Sequence, residues 1–130
     1  MRRFLEARDR YGVLATVNPD GTPLQAVIWY LVEDAGLVIN SKVGRQWPTN
    51  LLRDPRCSLT VETGLDYVAI RGVAEAIGDQ ERAQADIAAM ARRYDPPEQA
   101  ERTIANQFQK ETRISFLLRP RSVRVYGGLE

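Results

Sequence analysis

The sequence predicts a mainly β protein whose strands form a closed or nearly closed antiparallel barrel with inserted helices. Three observations support this prediction. Apolar and polar residues alternate with a period of two in several short runs, most clearly over residues 56–62. The turns between most runs are too short for the crossover connections of a parallel sheet. Six or seven such runs can be counted, and helical patterns follow the third and the fifth of them.

The first part of the chain is predicted to contain a short helix, a β-hairpin and a third strand. Residues 1–10 have an amphipathic helical pattern with Phe4, Leu5 and Ala7 on the apolar side. The sequence Asn18-Pro-Asp-Gly indicates a tight turn, because proline presets φ and glycine accepts a positive φ. The predicted strands before and after this turn cover residues 11–17, 22–32 and 37–41.

The middle of the chain is predicted to form a helix and two further strands. The helix covers residues 44–53, with Pro48 in its first turn, where proline is tolerated. The strands cover residues 56–62 and 67–77. Gly72 interrupts the second of these strands and therefore predicts a bulge or a close approach of another backbone.

The last part is predicted to contain two helices and two strands. Asp79 is a suitable N-cap for a helix that runs to about residue 94. One face of this helix is apolar and consists of Ala83, Ile87, Met90 and Ala91. A short helix at 98–109 follows, and then strands at 113–118 and 122–126 separated by Arg119-Pro-Arg.

Composition limits the classes of function. The 130 residues suffice for one domain, residues 1–130, and the net charge of +1 creates no general attraction to nucleic acid or membrane. The chain has no histidine, which excludes serine–histidine and cysteine–histidine nucleophile systems. Cys57 is the only cysteine, so we expect no intrachain disulfide and no metal site. Without a membrane-spanning run or a signal peptide, a cytoplasmic protein is expected.

One segment suggests an anion-binding site. Ser41, Lys42, Arg45 and Gln46 stand where an apolar run ends and a predicted helix begins, and Lys42 is one of only two lysines. Backbone N–H groups at a helix start, together with cations and a hydroxyl, suit a phosphate. The alternative is a strand-to-helix turn with solvated charges, and both interpretations stay open on this segment alone.

Several motifs in this order resemble the flavin-binding split-barrel family related to pyridoxamine 5'-phosphate oxidase, and most closely its deazaflavin (F420)-dependent oxidoreductases. The resemblance covers nearly the whole chain. The matching motifs are Gly12-Val-Leu-Ala-Thr-Val17, Asn18-Pro-Asp-Gly-Thr-Pro23, Val27-Ile-Trp-Tyr30, Asn40-Ser-Lys-Val-Gly-Arg-Gln46, Asn50-Leu-Leu-Arg-Asp-Pro-Arg56, Ala69-Ile-Arg-Gly-Val-Ala-Glu75 and Ile114-Ser-Phe-Leu-Leu-Arg-Pro120.

The resemblance implies a six- or seven-stranded split β-barrel of the FMN-binding type and a homodimer with the cofactor at its interface. Its cofactor would be F420, with FMN as the alternative. Carried over by position, the residues that would border the ring are Gln25, Val27, Ile28 and Trp29. Those that would line the ribityl chain and hold the phosphate are Asn40, Ser41, Lys42, Arg45, Gln46 and Asn50.

This chain departs from the resembled family at Trp47. Many relatives carry a lysine or arginine three residues before the Asn-Leu pair, so a charge that contacts the phosphate is either missing or supplied by Lys42. Trp29 and Tyr30 point to opposite faces of a strand, one into the core and the other toward a ring or a partner. The basic C-terminal cluster, Arg119, Arg121 and Arg124, is either a solvated face or a dock for an acidic cofactor tail.

The resemblance implies an oxidoreductase in which the cofactor carries out the chemistry. The first hypothesis is an F420-dependent enzyme that transfers a hydride between the cofactor and a small conjugated acceptor. An FMN-binding, pyridoxamine 5'-phosphate oxidase-like oxidoreductase is the second. A non-catalytic protein that binds flavin, deazaflavin or heme is the third. The catalytic residues and the acceptor are left unassigned.

Overall fold

The computed structural model describes residues 1–128, and seven antiparallel strands in this part form one sheet. The strands are β1 (Gly12–Val17), β2 (Pro23–Ile28), β3 (Leu31–Glu33), β4 (Gly36–Lys42), β5 (Arg56–Glu62), β6 (Tyr67–Ile77) and β7 (Arg113–Tyr126). Their order across the sheet is β2-β1-β5-β6-β7-β4-β3. The prediction of a mainly β, antiparallel fold with six or seven strands is therefore confirmed.

The sheet curls because its two edge strands are neighbours in the chain. β2 and β3 stand at opposite edges, yet only Trp29 and Tyr30 separate them. Three Cα–Cα steps span at most about 11 Å, whereas seven flat strands would place the edges roughly 29 Å apart. The edges therefore have to approach each other, which gives the sheet its half-barrel shape.

Four α-helices accompany the sheet in the described residues. They are α1 (Arg2–Glu6), α2 (Gln46–Arg53), α3 (Gln80–Tyr94) and α4 (Pro97–Asn106), and a 3-10 turn follows at Phe108–Lys110. Asp79 caps α3 as predicted, since its side chain accepts a hydrogen bond from the Arg82 backbone N–H at 3.0 Å. None of these helices has both the length and the apolar character needed to cross a membrane.

Two apolar cores lie on the two faces of the sheet. Neighbouring residues of one strand enter different cores, as Val38 and Ile39 of β4 do. The first core fills the barrel and includes Leu14, Ile39, Leu59, Ile70, Trp47 and Phe116. The second lies between the sheet and the helices α3 and α4 and includes Val38, Ile87, Met90, Ile104, Phe108 and Leu117. The apolar face predicted for the long helix is thus buried in the second core.

The predicted bulge at Gly72 is confirmed, and it explains an error at the C-terminus. The break predicted at residues 119–121 is wrong, because β7 is continuous over 14 residues. Arg71 pairs with Ser122 and Gly72 with Pro120, which leaves Arg121 as an extra residue in β7. A bulge relieves the loss of the proline N–H from the ladder, so the strand continues through Pro120.

Three other predicted boundaries differ from the structure. The second predicted strand, residues 22–32, divides into β2 and β3, because the chain passes from one sheet edge to the other at Trp29 and Tyr30. The first helix ends at Glu6, four residues before its predicted end. The last predicted helix consists of α4 and the separate 3-10 turn, since Gln107 between them has a non-helical φ of −125°.

Candidate functional site

A cleft of about 270 Å³ lies where the barrel meets the helical layer. We call it the barrel–helix cleft. It opens between the end of β2, the outer face of β4, the start of α2 and the residues around the 3-10 turn. Its lining consists of Ala26, Val27, Ile28, Trp29, Asn40, Arg45, Trp47, Ile87, Met90, Gln107, Phe108 and Arg113. Apolar side chains from both cores therefore share this cleft with two guanidinium groups.

Aromatic rings form one wall of the cleft. Trp29 is half-buried, stacks on Tyr94 with ring centroids 5.2 Å apart, and meets the edge of Phe108 at 6.5 Å. Tyr30 points the other way, is fully buried, and donates its hydroxyl to the Leu5 carbonyl oxygen at 2.6 Å. Tyr30 is therefore the core residue of the predicted pair, whereas Trp29 packs partly against the second core and lines the cleft.

Trp47 also belongs to the cleft wall. Its side chain is only 6% exposed, and its ring lies 6.0 Å from that of Phe116 in the barrel core. The position at which many family members are expected to carry a cation is thus occupied by a buried aromatic ring. Any positive charge in the cleft has to come from other positions.

Arg113 supplies such a charge from the start of β7, and the sequence interpretation missed it. The residue is only 8% exposed. Its Nε donates to Asn40 Oδ1 at 2.8 Å, its Nη1 to Glu111 Oε1 at 2.5 Å, and its guanidinium lies 4.8 Å from the centre of the Phe108 ring. Burial lowers the pKa of Arg113 from its ordinary value, the Glu111 carboxylate opposes that shift, and the charge of Arg45 adds to it.

Gln80 and Asn40 hold Arg113 in this position. The Gln80 side chain accepts from the Arg113 N–H at 2.8 Å and donates to the Arg113 carbonyl oxygen at 2.9 Å. Asn40 Nδ2 donates to the Ala83 carbonyl oxygen and to Ser115 Oγ, both at 2.9 Å. Asn40 is therefore a buried junction between β4, β7 and α3, and only one side of it faces the cleft.

Arg45 and Lys42 differ in their relation to the cleft. Arg45 precedes the first residue of α2 and lines the cleft, whereas Lys42, the last residue of β4, is exposed and outside the lining. Within residues 1–128, neither side chain has a hydrogen-bond or ion-pair partner. Both cations remain available to a ligand, but Arg45 is the one that the fold directs at this cavity.

Besides Lys42, four of the predicted site residues lie outside the cleft lining. Asn50 is fully buried, and its amide accepts from Gln46 Nε2 at 2.8 Å and donates to Thr16 Oγ1 at 3.1 Å. Ser41, predicted beside the ribityl chain, is buried and donates to the Lys42 carbonyl oxygen at 2.9 Å, because position 41 alternates inward with position 39. The remaining two are exposed, namely Gln25 and Gln46.

The predicted site residues thus form two groups. The structure brings five of them together in the lining of the barrel–helix cleft: Val27, Ile28, Trp29, Asn40 and Arg45. The other five lie beside or beneath it: Gln25, Ser41, Lys42, Gln46 and Asn50. Arg113 carries no local sequence signal, because it is one arginine among many and stands 73 residues after its partner Asn40. Within residues 1–128, no group of three or more histidine, cysteine, aspartate or glutamate side chains is arranged to hold a metal ion.

The basic C-terminal cluster lies elsewhere on the molecule. Arg119, Arg121 and Arg124 are exposed on β7, and Arg124 shares a shallow surface depression with Arg71 of β6. This surface is separate from the lining of the barrel–helix cleft. The choice between a solvated face and a dock for an acidic tail stays open.

Comparison with known proteins identifies the family. Residues 1–127 match the family model described as pyridoxamine 5'-phosphate oxidase. The chain belongs to the pyridoxamine 5'-phosphate oxidase family. This match covers nearly the whole described chain, and it agrees with the split barrel that the sequence resemblance implied. Among curated proteins, none matches the sequence.

Solved structures agree with the family assignment. A conserved hypothetical protein, Rv2991 from Mycobacterium tuberculosis, is 28% identical, with a TM-score of 0.78 over 95% of this chain and 80% of that protein. A protein described as an F420 reductase is 26% identical, with a TM-score of 0.71 over 92% of this chain and 93% of that one. The heme storage protein HutZ from Vibrio cholerae has a TM-score of 0.73 over 97% of this chain and 92% of its own, but its identity of 21% shows only a shared fold.

The matched family and the similar structures differ in the cofactors that they bind. The pyridoxamine 5'-phosphate oxidase family includes oxidoreductases that use flavin or deazaflavin cofactors, and its fold also occurs in heme-binding proteins. The prediction of a flavin-type split barrel is confirmed at this level.

Proposed function

We propose that this chain is an F420-dependent oxidoreductase that transfers a hydride between the deazaflavin and a small conjugated acceptor. The observation that carries the proposal is the composition of the barrel–helix cleft, in which the aromatic wall at Trp29 continues into the cationic end at Arg45. A tricyclic ring with an anionic side chain needs both features. The similarity to an F420 reductase along almost the full length of both chains supports the choice of cofactor.

The residues present suit such a ligand. Val27, Ile28 and Trp29 offer apolar and aromatic contacts to a ring, and Arg45 offers charge-assisted hydrogen bonds to a phosphate. Lys42 and Gln46 are exposed near the start of α2, within reach of a phosphate outside the cleft lining. We assign Asn50 and Ser41 to the support of this segment, because both are buried and hydrogen-bonded within the fold.

In this proposal the protein positions its ligands and the cofactor supplies the hydride chemistry. The aromatic wall would orient the ring, and the burial of Ile87 and Met90 beside it would exclude water from one side of the reacting centre. Arg45 would hold the ligand at its anionic end. No side chain of the cleft has to act as an acid or a base for this role.

We also propose that a second copy of the chain completes the site. Val27 lines the cleft, yet 73% of its side chain is exposed, and Gln25 is exposed two residues before it on the same face of β2. An apolar rim of this kind suits a homodimer with the cofactor at the interface. Light scattering on the purified protein should give the mass of a dimer. Val27→Arg should shift it toward the monomer, whereas Leu65→Arg, at an exposed turn, should leave the mass unchanged.

The second candidate is an FMN-dependent oxidoreductase, and the match to the pyridoxamine 5'-phosphate oxidase model favours it. FMN shares the tricyclic ring and the ribityl phosphate with F420, so the same cleft suits both. A non-catalytic heme-binding role has less support, because this chain has no histidine to serve as an axial ligand.

Titration of the purified protein with F420 and with FMN, followed by fluorescence, tests the proposal. We expect tighter binding of F420, and a loss of at least about tenfold in Arg45→Ala, since a charge-assisted hydrogen bond contributes roughly 1.5–3 kcal/mol. Lys42→Ala should weaken binding less, and Arg3→Ala serves as a control, because Arg3 is exposed on α1 and lies outside the cleft lining. Oxidation of reduced F420 by quinone or enone acceptors would then establish catalysis.

The outcomes separate the candidates. Preference for FMN, with a yellow purified protein, would assign the chain to the flavin-dependent group. Binding of F420 without turnover of any acceptor would indicate a carrier or a sensor. Failure to bind either cofactor would contradict the proposal.

A further inference from the structure

We propose that Arg45 and Arg113 together bind one oxyanion group, a phosphate or a carboxylate, at the polar end of the barrel–helix cleft. The inference rests on the proposed function in taking this cleft as the ligand site. It adds a second guanidinium from β7 that the sequence resemblance does not assign. This guanidinium lies in the same cleft lining as the neutral Trp47 and would supply the charge that is missing at position 47.

Arg113 is held rigidly, and part of it is left unused. Asn40 binds its Nε, Glu111 binds its Nη1, and the ring of Phe108 lies under the guanidinium plane. The third nitrogen, Nη2, has no hydrogen-bond partner among residues 1–128, and it is not sealed from solvent. A guanidinium that is already fixed loses little conformational entropy when an anion binds to its free edge.

Arg45 faces the same space without any partner of its own. Both guanidinium groups belong to the lining of this one cleft, and the charge of Arg45 makes a small contribution to the lowered pKa of Arg113. Glu111 pairs with Arg113 and balances one of the two positive charges. One positive charge remains at this end of the cleft, and a bound oxyanion would relieve the repulsion between the two arginines.

The aromatic and apolar part of the cleft lining indicates which class of molecule should carry the oxyanion. The aromatic wall at Trp29 and Phe108 and the apolar side chain of Met90 adjoin the two arginines in one lining. A planar aromatic or conjugated molecule that carries one phosphate or carboxylate would use both ends of the cleft. A free inorganic anion would use only the polar end and should bind weakly.

Two sources of the oxyanion are possible, the phosphate of the cofactor and a carboxylate of the acceptor, and matched ligands distinguish them. FMN and riboflavin differ only in the phosphate, and benzoate and benzyl alcohol serve as a carboxylate probe and its neutral counterpart. The dissociation constant of each is measured for the wild type, Arg45→Gln, Arg113→Gln and the exposed control Arg3→Gln. Thermal unfolding of each variant verifies that it folds, and the exposed Arg45 provides a test even if Arg113→Gln does not fold.

The preference for the anion is the ratio of dissociation constants within a pair, FMN with riboflavin or benzoate with benzyl alcohol. We expect this preference to fall about tenfold to hundredfold for one of the two pairs, both in Arg45→Gln and in Arg113→Gln. Binding of riboflavin and benzyl alcohol should stay unchanged in every variant, and Arg3→Gln should bind all four ligands as the wild type does. Loss of the FMN preference assigns the site to the phosphate, and loss of the benzoate preference assigns it to a carboxylate.

An unchanged preference for both anions in folded Arg45→Gln or Arg113→Gln would overturn the inference. Failure of the proposed function would give a different result. The protein would then bind neither F420 nor either flavin. The wild type would still prefer benzoate to benzyl alcohol, and Arg45→Gln and Arg113→Gln would lose that preference.

Discussion

Asn40 Oδ1 accepts the Nε proton of Arg113 at 2.8 Å, between two neighbouring strands and within the lining of the barrel–helix cleft. The two residues are not direct partners in the ladder, where Asn40 faces Ser115 and Lys42 faces Arg113. Their side chains meet diagonally, on the side of the sheet that the helices cover. This contact couples the folding of the sheet to the position of a cationic group in the candidate site.

The first prediction concerns Asn40→Leu. Leucine fills a similar volume but leaves Arg113 Nε without its partner. It also removes one hydrogen bond from the Ala83 carbonyl oxygen and one from Ser115 Oγ, which still donates to Asp86. We expect the free energy of unfolding to fall by about 2–4 kcal/mol, because unsatisfied buried polar groups cost roughly 1–3 kcal/mol each. Urea unfolding measures the change, and Asn106→Ala at the exposed end of α4 is the control. Equal stability of the two variants would show that the junction contributes little.

Asn50→Ala gives the second prediction. Asn50 is fully buried and joins α2 to the first hairpin, since its Nδ2 donates to Thr16 Oγ1 at 3.1 Å and to Asn18 Oδ1 at 3.0 Å. We expect a loss of about 2–3 kcal/mol in the free energy of unfolding. We also expect weaker binding of the phosphate-bearing cofactor, because α2 carries Gln46 and follows Arg45. Calorimetry measures the first effect and titration the second.

A comparison of Asn50→Ala with Arg45→Ala separates these two effects. Arg45 is exposed, so its replacement should weaken binding with little loss of stability. If Asn50→Ala destabilised the protein and left the affinity for the cofactor intact, α2 would not position the binding residues.

The third prediction concerns the bulge at Gly72. A Cβ atom added there would lie 2.1 Å from the Arg119 carbonyl oxygen, a backbone atom that cannot move without disturbing β7. We expect Gly72→Ala to lower the free energy of unfolding by at least about 2 kcal/mol. Gly128→Ala is the matched control, because nothing lies within 4 Å of a Cβ built at that position. Similar midpoints in thermal unfolding for the two variants would contradict the close approach of β6 and β7.

The sequence contains enough local information to predict most of the fold. The turn at Asn18-Pro-Asp-Gly, the alternation over residues 56–62 and the N-cap at Asp79 are each determined by neighbours in the chain, and each is found in the structure. The errors occur where distant pairing overrides local signals. Pro120 continues a strand because the bulge beside Gly72 accommodates it, and that depends on the register with β6.

Prediction of the candidate site from the sequence is also limited by contacts between residues that are distant in the chain. The sequence motifs predict ten site residues between positions 25 and 50, and half of these ten residues line one cleft. Arg113 was missed because nothing in its own neighbourhood distinguishes it from the other arginines. Its role follows from the pairing of β4 with β7 and from the partners that this pairing provides, Asn40 and Glu111.

The fourth prediction concerns the reactivity of Cys57. Burial raises the pKa of the Cys57 thiol to about 12. Only the thiolate reacts with disulfide reagents, so at pH 8 the native protein should react more slowly than the unfolded protein by about two to three orders of magnitude. Absorbance at 412 nm after addition of Ellman's reagent, with and without urea, measures this ratio. Rapid labelling of the native protein would show that the thiol is accessible.

The last prediction is a loss of stability in alkaline solution. Burial raises the pKa of Tyr94 to about 12, and the nearby charge of Arg93 only partly offsets that effect. The folded state therefore favours the neutral phenol more than the unfolded state does, in which the pKa lies near 10. The stabilisation associated with neutral Tyr94 is complete below pH 10 and is lost progressively as the pH rises through about 12.

Tyr94→Phe tests the sign of this effect. Phenylalanine keeps the ring that stacks on Trp29 and removes the ionisable group, so the variant should lose less stability than the wild type between pH 10 and 12. Urea unfolding at pH 8, 10 and 11 measures the difference. Burial also raises the pKa of Tyr30 and of Cys57, so we expect a reduced slope in the variant and not a flat profile. Identical slopes for the two proteins would show that Tyr94 ionises in the folded state as readily as in the unfolded one.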